Sequence, residues 1–74
     1  MNVTVKLFAH FRESRFKVEN RDLEAGIMVR DVVNSLNIDS GEIGVVMLNS
    51  RHTTLDTLLS DNDVLAIFPL IGGG

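Results

Sequence analysis

Over Asn2 to Phe8 the apolar residues Val3, Val5 and Leu7 alternate with Asn2, Thr4 and Lys6. A period of two with β-branched side chains predicts a half-buried strand. Arg15 to Glu19 repeats the pattern more briefly, with Phe16 and Val18 on one face, and Ala9 to Ser14 would join the two runs as a hairpin loop longer than a tight turn. Residues 20–27 are polar, contain Gly26 and read as a connection. The period then changes. Val29, Val32, Val33 and Leu36 fall at i, i+3, i+4 and i+7, the apolar stripe of a helix, with Arg30, Asp31, Asn34 and Ser35 on the other side. Valine is a mediocre helix former, so packing must hold this helix. Asn37 to Gly44 reads as a loop, Val45 to Asn49 as a buried strand, Asn49-Ser50 as a turn and His52 to Thr54 as a short edge strand. Leu55, Leu58 and Leu59 are expected to form one helical turn that plugs the core. Asp61-Asn62-Asp63 is a strong turn signal, and Val64 to Phe68 is a last strand stopped by Pro69.

The order β-β-α-β-(β)-β predicts an α+β domain in which the helix crosses one face of a sheet. With 74 residues there is room for one core only. An apolar fraction of 45% and a charged fraction of 23% are those of a soluble globular chain. The absence of cysteine removes disulfides, thiolate metal sites and a cysteine nucleophile, and His10 and His52, far apart in sequence, leave little for a histidine metal site. A formal charge of −3 argues against nucleic-acid binding. The N-terminus lacks a signal-peptide layout, and the longest apolar run, Val64 to Ile71, is interrupted by Pro69 and far too short for a membrane span. A cytoplasmic domain without nucleic-acid or membrane partners is expected. Charge is polarised: Lys6, Arg12, Arg15 and Lys17 stand against Glu13 in the first 18 residues, whereas Asp39, Glu42, Asp56, Asp61 and Asp63 stand against Arg51 in the second half. A solvated surface explains this; a charged docking face would use it to select partners.

The C-terminal run Phe68-Pro69-Leu70-Ile71-Gly72-Gly73-Gly74 carries the functional signal. Glycines at a chain end pack nothing and are the costliest residues to order, so folding does not account for them. A frayed end or a cloning remnant is the bland reading; it is weakened because the run follows a strand directly, with no linker composition. The chemical reading is that an enzyme activates the terminal carboxylate with ATP. Only glycine can be threaded into a narrow channel and let its backbone approach a nucleotide closely. Leu70 and Ile71 would anchor outside that channel and Pro69 would stiffen the approach.

Several segments resemble the MoaD/ThiS family of ubiquitin-like sulfur carriers. Val5-Lys6-Leu7-Phe8-Ala9 followed by Phe11-Arg12-Glu13 resembles the family's opening strand and turn, and Gly26-Ile27-Met28-Val29-Arg30-Asp31-Val32-Val33 resembles the segment leading into its helix. Val46-Met47-Leu48-Asn49 resembles its strand ending in asparagine. Leu59-Ser60-Asp61-Asn62-Asp63-Val64 resembles its L-x-D-G-D-x-V turn, with Asn62 in the usual glycine place, and Gly73-Gly74 its terminal diglycine. Asparagine tolerates positive φ better than most residues, so that replacement is mild. Gly72 is an additional glycine, and Pro69-Leu70-Ile71 stands where the molybdopterin carriers usually have two prolines and a valine.

The resemblance implies a ubiquitin-like β-grasp, a mixed sheet of four to five strands with one main helix packed across it, over residues 1–69, and a flexible tail over 70–74. It implies a carrier and co-substrate rather than a catalyst, such as the small subunit of a synthase. An E1-like enzyme of the MoeB/ThiF type would adenylate Gly74, with Gly73 beside it. A sulfur donor such as a persulfide enzyme would convert the adenylate to a thiocarboxylate, and a sulfur-accepting synthase would consume it. No cofactor would be bound, ATP being used by the activating enzyme. Phe11-Arg12-Glu13 and Phe68-Pro69 lean toward the molybdopterin-type carrier; thiamine biosynthesis and RNA thiolation stay open. So do two other classes: a protein modifier joined to lysines through Gly74, and a non-catalytic β-grasp interaction module.

The four phenylalanines, Phe8, Phe11, Phe16 and Phe68, have core packing as their default. Parity, however, sets Phe8 opposite in facing to Val3, Val5 and Leu7, and sets Phe68 with Val64 and Ala66 against Leu65 and Ile67. A phenylalanine on the outer sheet face beside Pro69, Leu70, Ile71 and Gly72 would make a partner-binding patch, with Phe68 the first candidate and Phe8 the second. Arg12 and Arg51 could bind carboxylates of an activating enzyme, although most such arginines are simply solvated. Turn chemistry accounts for Asp61 and Asp63, and His10 and His52 are read as surface residues.

Overall fold

A computed structural model describes residues 1–70. Strand β1 (Asn2–Leu7) and strand β2 (Val18–Asp22) are antiparallel, helix α1 (Val29–Ser35) follows, and β3 (Ile43–Leu48), β4 (Arg51–His52) and β5 (Asp63–Pro69) complete one mixed sheet in the order β2-β1-β5-β3-β4. Its two central strands are the first and last in the chain, paired in parallel from Val3 opposite Asp63 to Leu7 opposite Ile67. This is the β-grasp that the resemblance implies.

One face of the sheet carries the core. Val3, Val5 and Leu7 of β1, Leu65 and Ile67 of β5 and Val46 of β3 meet the helical stripe Val29, Val32, Val33 and Leu36, with Phe11, Ile38 and Leu59 closing the ends. At about 25 cal/mol per Å² of apolar area, such burial is the main stabilising term. Helix α1 is too short and too valine-rich to stand alone. At its start the Met28 amide donates to the Asp31 carboxylate at 2.9 Å. At its end Arg15 donates to the carbonyls of Leu36 at 3.0 Å and Asn37 at 3.3 Å, satisfying acceptors the helix leaves open.

Four local expectations are corrected. The second strand runs over Val18–Asp22 and not over Arg15–Glu19. It is an edge strand held by backbone pairing, so its hydrophobic pattern carries no register; Phe16 precedes it and packs on the core margin, while Val18 is 58% exposed. No helical turn forms around Leu55, Leu58 and Leu59. Leu59 alone is buried, and Leu58 instead makes an isolated bridge to Met28 in an extended segment. Strand β3 begins at Ile43, inside the expected loop, and is not buried throughout: it alternates, with Val46 inward and Val45 and Met47 half-buried on the opposite face. Pro69 does not stop β5. It lies opposite Ile43 beside a bulge at Gly44, a position where a strand tolerates the missing N–H, and the next amide, Leu70, still donates to Glu42 O at 2.8 Å.

The turns follow the sequence. Asn49 (φ 52°) and Ser50 (φ 69°) form the two-residue loop between β3 and β4, consecutive positive φ values being those of a type I′ hairpin. Asn62 has φ 68°, so it supplies the left-handed residue that the resembling turn draws from glycine. No helix among the described residues is long and apolar enough to cross a membrane.

Candidate functional site

The face of the sheet turned away from α1 carries the even-numbered side chains of β1 and β5 and the odd-numbered ones of β3. At the C-terminal end of β5 this face is apolar. Phe8, just past β1, and Phe68 stack with ring centroids 4.1 Å apart and planes 11° from parallel. Both are half-buried by each other, which is how two aromatic rings can stand on a water-facing sheet. Beside them a shallow groove of about 520 Å³ is lined by Gly44, Val45, Met47, Phe68, Pro69 and Leu70. Leu70 projects from its rim at 64% exposure.

The backbone fixes this geometry. The bulge at Gly44 moves the register on by one residue, so that Ile43 turns inward opposite Pro69 while Val45 lies opposite Phe68 on the outer face. A Cβ on Gly44 would lie 2.8 Å from Pro69 O and 3.1 Å from Leu70 Cα. Glycine is therefore what allows β3 to approach the end of β5 and hold the Leu70 amide. The Arg12 guanidinium closes the other side: its Nε donates to Leu7 O at 2.6 Å and its charge sits 5.0 Å from the Phe8 ring centroid. Next to it His10 Nε2 lies 3.6 Å from Glu42 Oε2. The groove is thus apolar, with a rim that carries both signs of charge.

Asp61 and Asp63, the carboxylates at the start of β5 and away from this groove, are committed to structure: Asp61 accepts from the Asn2 amide at 2.6 Å, and Asp63 accepts from the Ser60 amide at 2.7 Å and from Asn49 Nδ2 at 2.9 Å. Among the described residues no three His, Cys, Asp or Glu side chains are grouped to hold a metal ion. What the surface can do is offer about one apolar patch to a partner, at the point where β5 leads toward Gly72-Gly73-Gly74.

The sequence model of the ThiS family matches residues 5–74, nearly the whole chain. The chain belongs to the ThiS family. Solved structures agree with this ThiS-family assignment. The small archaeal modifier protein 1 of Methanosarcina acetivorans is 28% identical, with 99% of this chain and 96% of that one covered and a TM-score of 0.75. A Pyrococcus furiosus protein given as molybdopterin converting factor subunit 1 is 26% identical, with 96% and 99% covered and a TM-score of 0.77. A complex of subunits 1 and 2 of the molybdopterin-converting factor of Helicobacter pylori contains a chain 22% identical, with 100% of both chains covered and a TM-score of 0.66, which bears on the fold alone. No curated protein matches the chain in sequence.

Of the residues the sequence singled out in this ThiS-family chain, the structure brings Phe8, Phe68, Pro69 and Leu70 together on one surface. Ile71, Gly72, Gly73 and Gly74 lie outside the described residues. Arg12 is engaged with Leu7 and Phe8, and Arg51 is an exposed residue of β4 on the far edge of the sheet. Sequence reasoning missed Gly44, Val45 and Met47. An uninterrupted Val45-Val46-Met47 run hides which side chains face outward. A glycine at the head of that run was the available signal for a bulge.

Proposed function

We propose that this chain is a sulfur carrier whose chemistry resides in its terminal glycine and whose outer sheet face is the handle by which enzymes grip it. An E1-like enzyme transfers AMP from ATP to the Gly74 carboxylate and releases pyrophosphate. A persulfide-type donor displaces AMP to give an acyl disulfide; a thiol then attacks the donor's own sulfur, forming a new disulfide with it and releasing the C-terminal thiocarboxylate, and a synthase takes up the sulfur. The chain supplies an extended glycine end and a docking patch and needs no catalytic group of its own. One observation carries the reading: the central strand β5 ends beside the Phe8–Phe68 stack and its apolar groove, so a partner seated there is positioned over the segment that continues into Ile71-Gly72-Gly73-Gly74.

The likeness to the Pyrococcus furiosus subunit supports a molybdopterin-type pathway over thiamine or RNA thiolation. The likeness to the archaeal modifier supports a second reading, conjugation of Gly74 to lysines. The two share adenylation and differ in the nucleophile. Intact mass after incubation with ATP, an E1-like enzyme and a sulfur donor separates them from a plain binding module. Replacement of one oxygen by sulfur, lost when Gly74 is removed, is expected. Lysine adducts in cell extract without that replacement would favour the modifier, and neither product would leave a binding module.

A further inference from the structure

We propose that β2 is a self-recognition edge through which two copies of this chain pair antiparallel about Asn20, joining two five-stranded sheets into one. Three observations on β2 meet at this register. First, the Leu7 amide donates to Lys17 O, and Met1 and Leu23 bond to each other in both directions, so the odd-numbered residues of this stretch point their backbone groups at β1. The N–H and C=O groups of Val18, Asn20 and Asp22 therefore point outward, along an open edge. Centring a two-fold axis on Asn20 sets Asn20 opposite its own copy and Val18 opposite Asp22, each pair exchanging N–H···O bonds in both directions.

Second, the same register is the one that satisfies the charges. Glu19 and Arg21 lie on the α1 side, opposite Val5 and Val3 of β1, and contact each other along the strand at 2.9 Å. With Asn20 on the axis, Glu19 of one copy stands across from Arg21 of the other, twice, closing a ring of alternating charge. Shifting the axis by one residue either way puts Arg21 opposite Arg21 or Glu19 opposite Glu19, and like charges directly opposite are destabilising. Third, Val18 is a largely exposed aliphatic residue on this edge, and an added strand would cover it. An interface of this kind is isologous, as a two-fold requires. It leaves the groove beside Phe68 open in both copies, since β1 lies between β5 and this edge. The proposal is independent of what Gly74 does.

One added strand pair is a small interface, so a dissociation constant on the order of 0.1–1 mM is expected. The test is sedimentation equilibrium of the intact chain, with amide NMR over the same concentrations. Concentration-dependent shifts are expected in residues 16–24. Glu19→Arg or Arg21→Glu alone should weaken association about tenfold or more, because each turns two attractive pairs into repulsive ones. The double variant Glu19→Arg/Arg21→Glu should restore it. Asn20→Pro should remove it while leaving the β1–β2 ladder protected, since the lost N–H faces outward. A chain that stays monomeric to about 1 mM overturns the proposal. So does association that survives the single reversals, that the double variant fails to rescue, or that Phe68→Ser removes instead.

Discussion

Phe68 shows how one side chain can matter for binding more than for folding. Its ring is half-buried, and the residue it covers, Phe8, lies on the same outer face, away from α1. Removing the ring forfeits the stacking, worth about 0.5–1.5 kcal/mol, and opens no cavity in the core. Phe68→Ser should therefore lower stability by about 1 kcal/mol while weakening binding to the activating enzyme at least about tenfold, as expected of a central apolar anchor. Thermal unfolding and calorimetric titration read the two effects separately. A stability loss as large as that of a buried leucine truncation, about 2–5 kcal/mol, would return Phe68 to the core. Gly44 behaves in the opposite way. Its missing Cβ would meet backbone, not a flexible side chain, at 2.8 Å. Gly44→Ala should cost about 1–3 kcal/mol and expose the Leu70 amide to exchange, because the clash pushes the end of β5 from β3. Unchanged protection at Leu70 would show that β3 yields without disturbing the end of β5.

At the scale of elements, the turn before β5 is a small polar assembly that pins two connections to one strand. Asp63 is buried and accepts from Ser60 and Asn49, while Asn49 itself accepts the Val64 amide at 2.9 Å. Asp63→Ala leaves the Ser60 amide and Asn49 Nδ2 without acceptors and should cost about 1–3 kcal/mol. Asn49→Ala should cost a similar amount, and the double variant less than the sum, since both remove one network. Urea unfolding of the four proteins checks this, and strict additivity would show that the two side chains act separately. The sequence announced this turn, because Asn and Asp at such positions have few other uses. It also announced β1, α1 and β5, whose buried faces impose a period. It placed β2 three residues early, on the alternation of Phe16 and Val18, because an edge strand that is almost wholly exposed has no period of its own to display. It misled at Leu55, Leu58 and Leu59, whose spacing imitates a helix although tertiary pairing of Leu58 with Met28 prevails. Half of the docking patch was legible for the same reason: parity turns Phe8 and Phe68 outward, whereas Val45 and Met47 sit in a run without polar markers.

In the whole molecule, the first and last strands are neighbours at the centre of the sheet, so the core closes only when β5 docks against β1. Among the described residues, the buried hydrophobic core runs from Val3 to Ile67. The domain's cooperativity therefore reaches through β5, and residues beyond it add to stability only through what they themselves bury. Glycine has no side chain to bury and is the costliest residue to order. Deleting Gly73 and Gly74 should accordingly leave the unfolding free energy within about 0.5 kcal/mol of the full chain's, the range of a surface change. On the proposed function, the same deletion should abolish adenylation and sulfur uptake, whereas the Phe8–Phe68 patch, left in place, should still bind the activating enzyme. Calorimetry, a pyrophosphate-exchange assay and a titration with that enzyme give the three readouts on one preparation. Retained exchange would remove the terminal glycines from the chemistry and leave the outer face as the working part of the molecule. Lost binding would instead make the glycine end part of the grip, with the patch insufficient by itself.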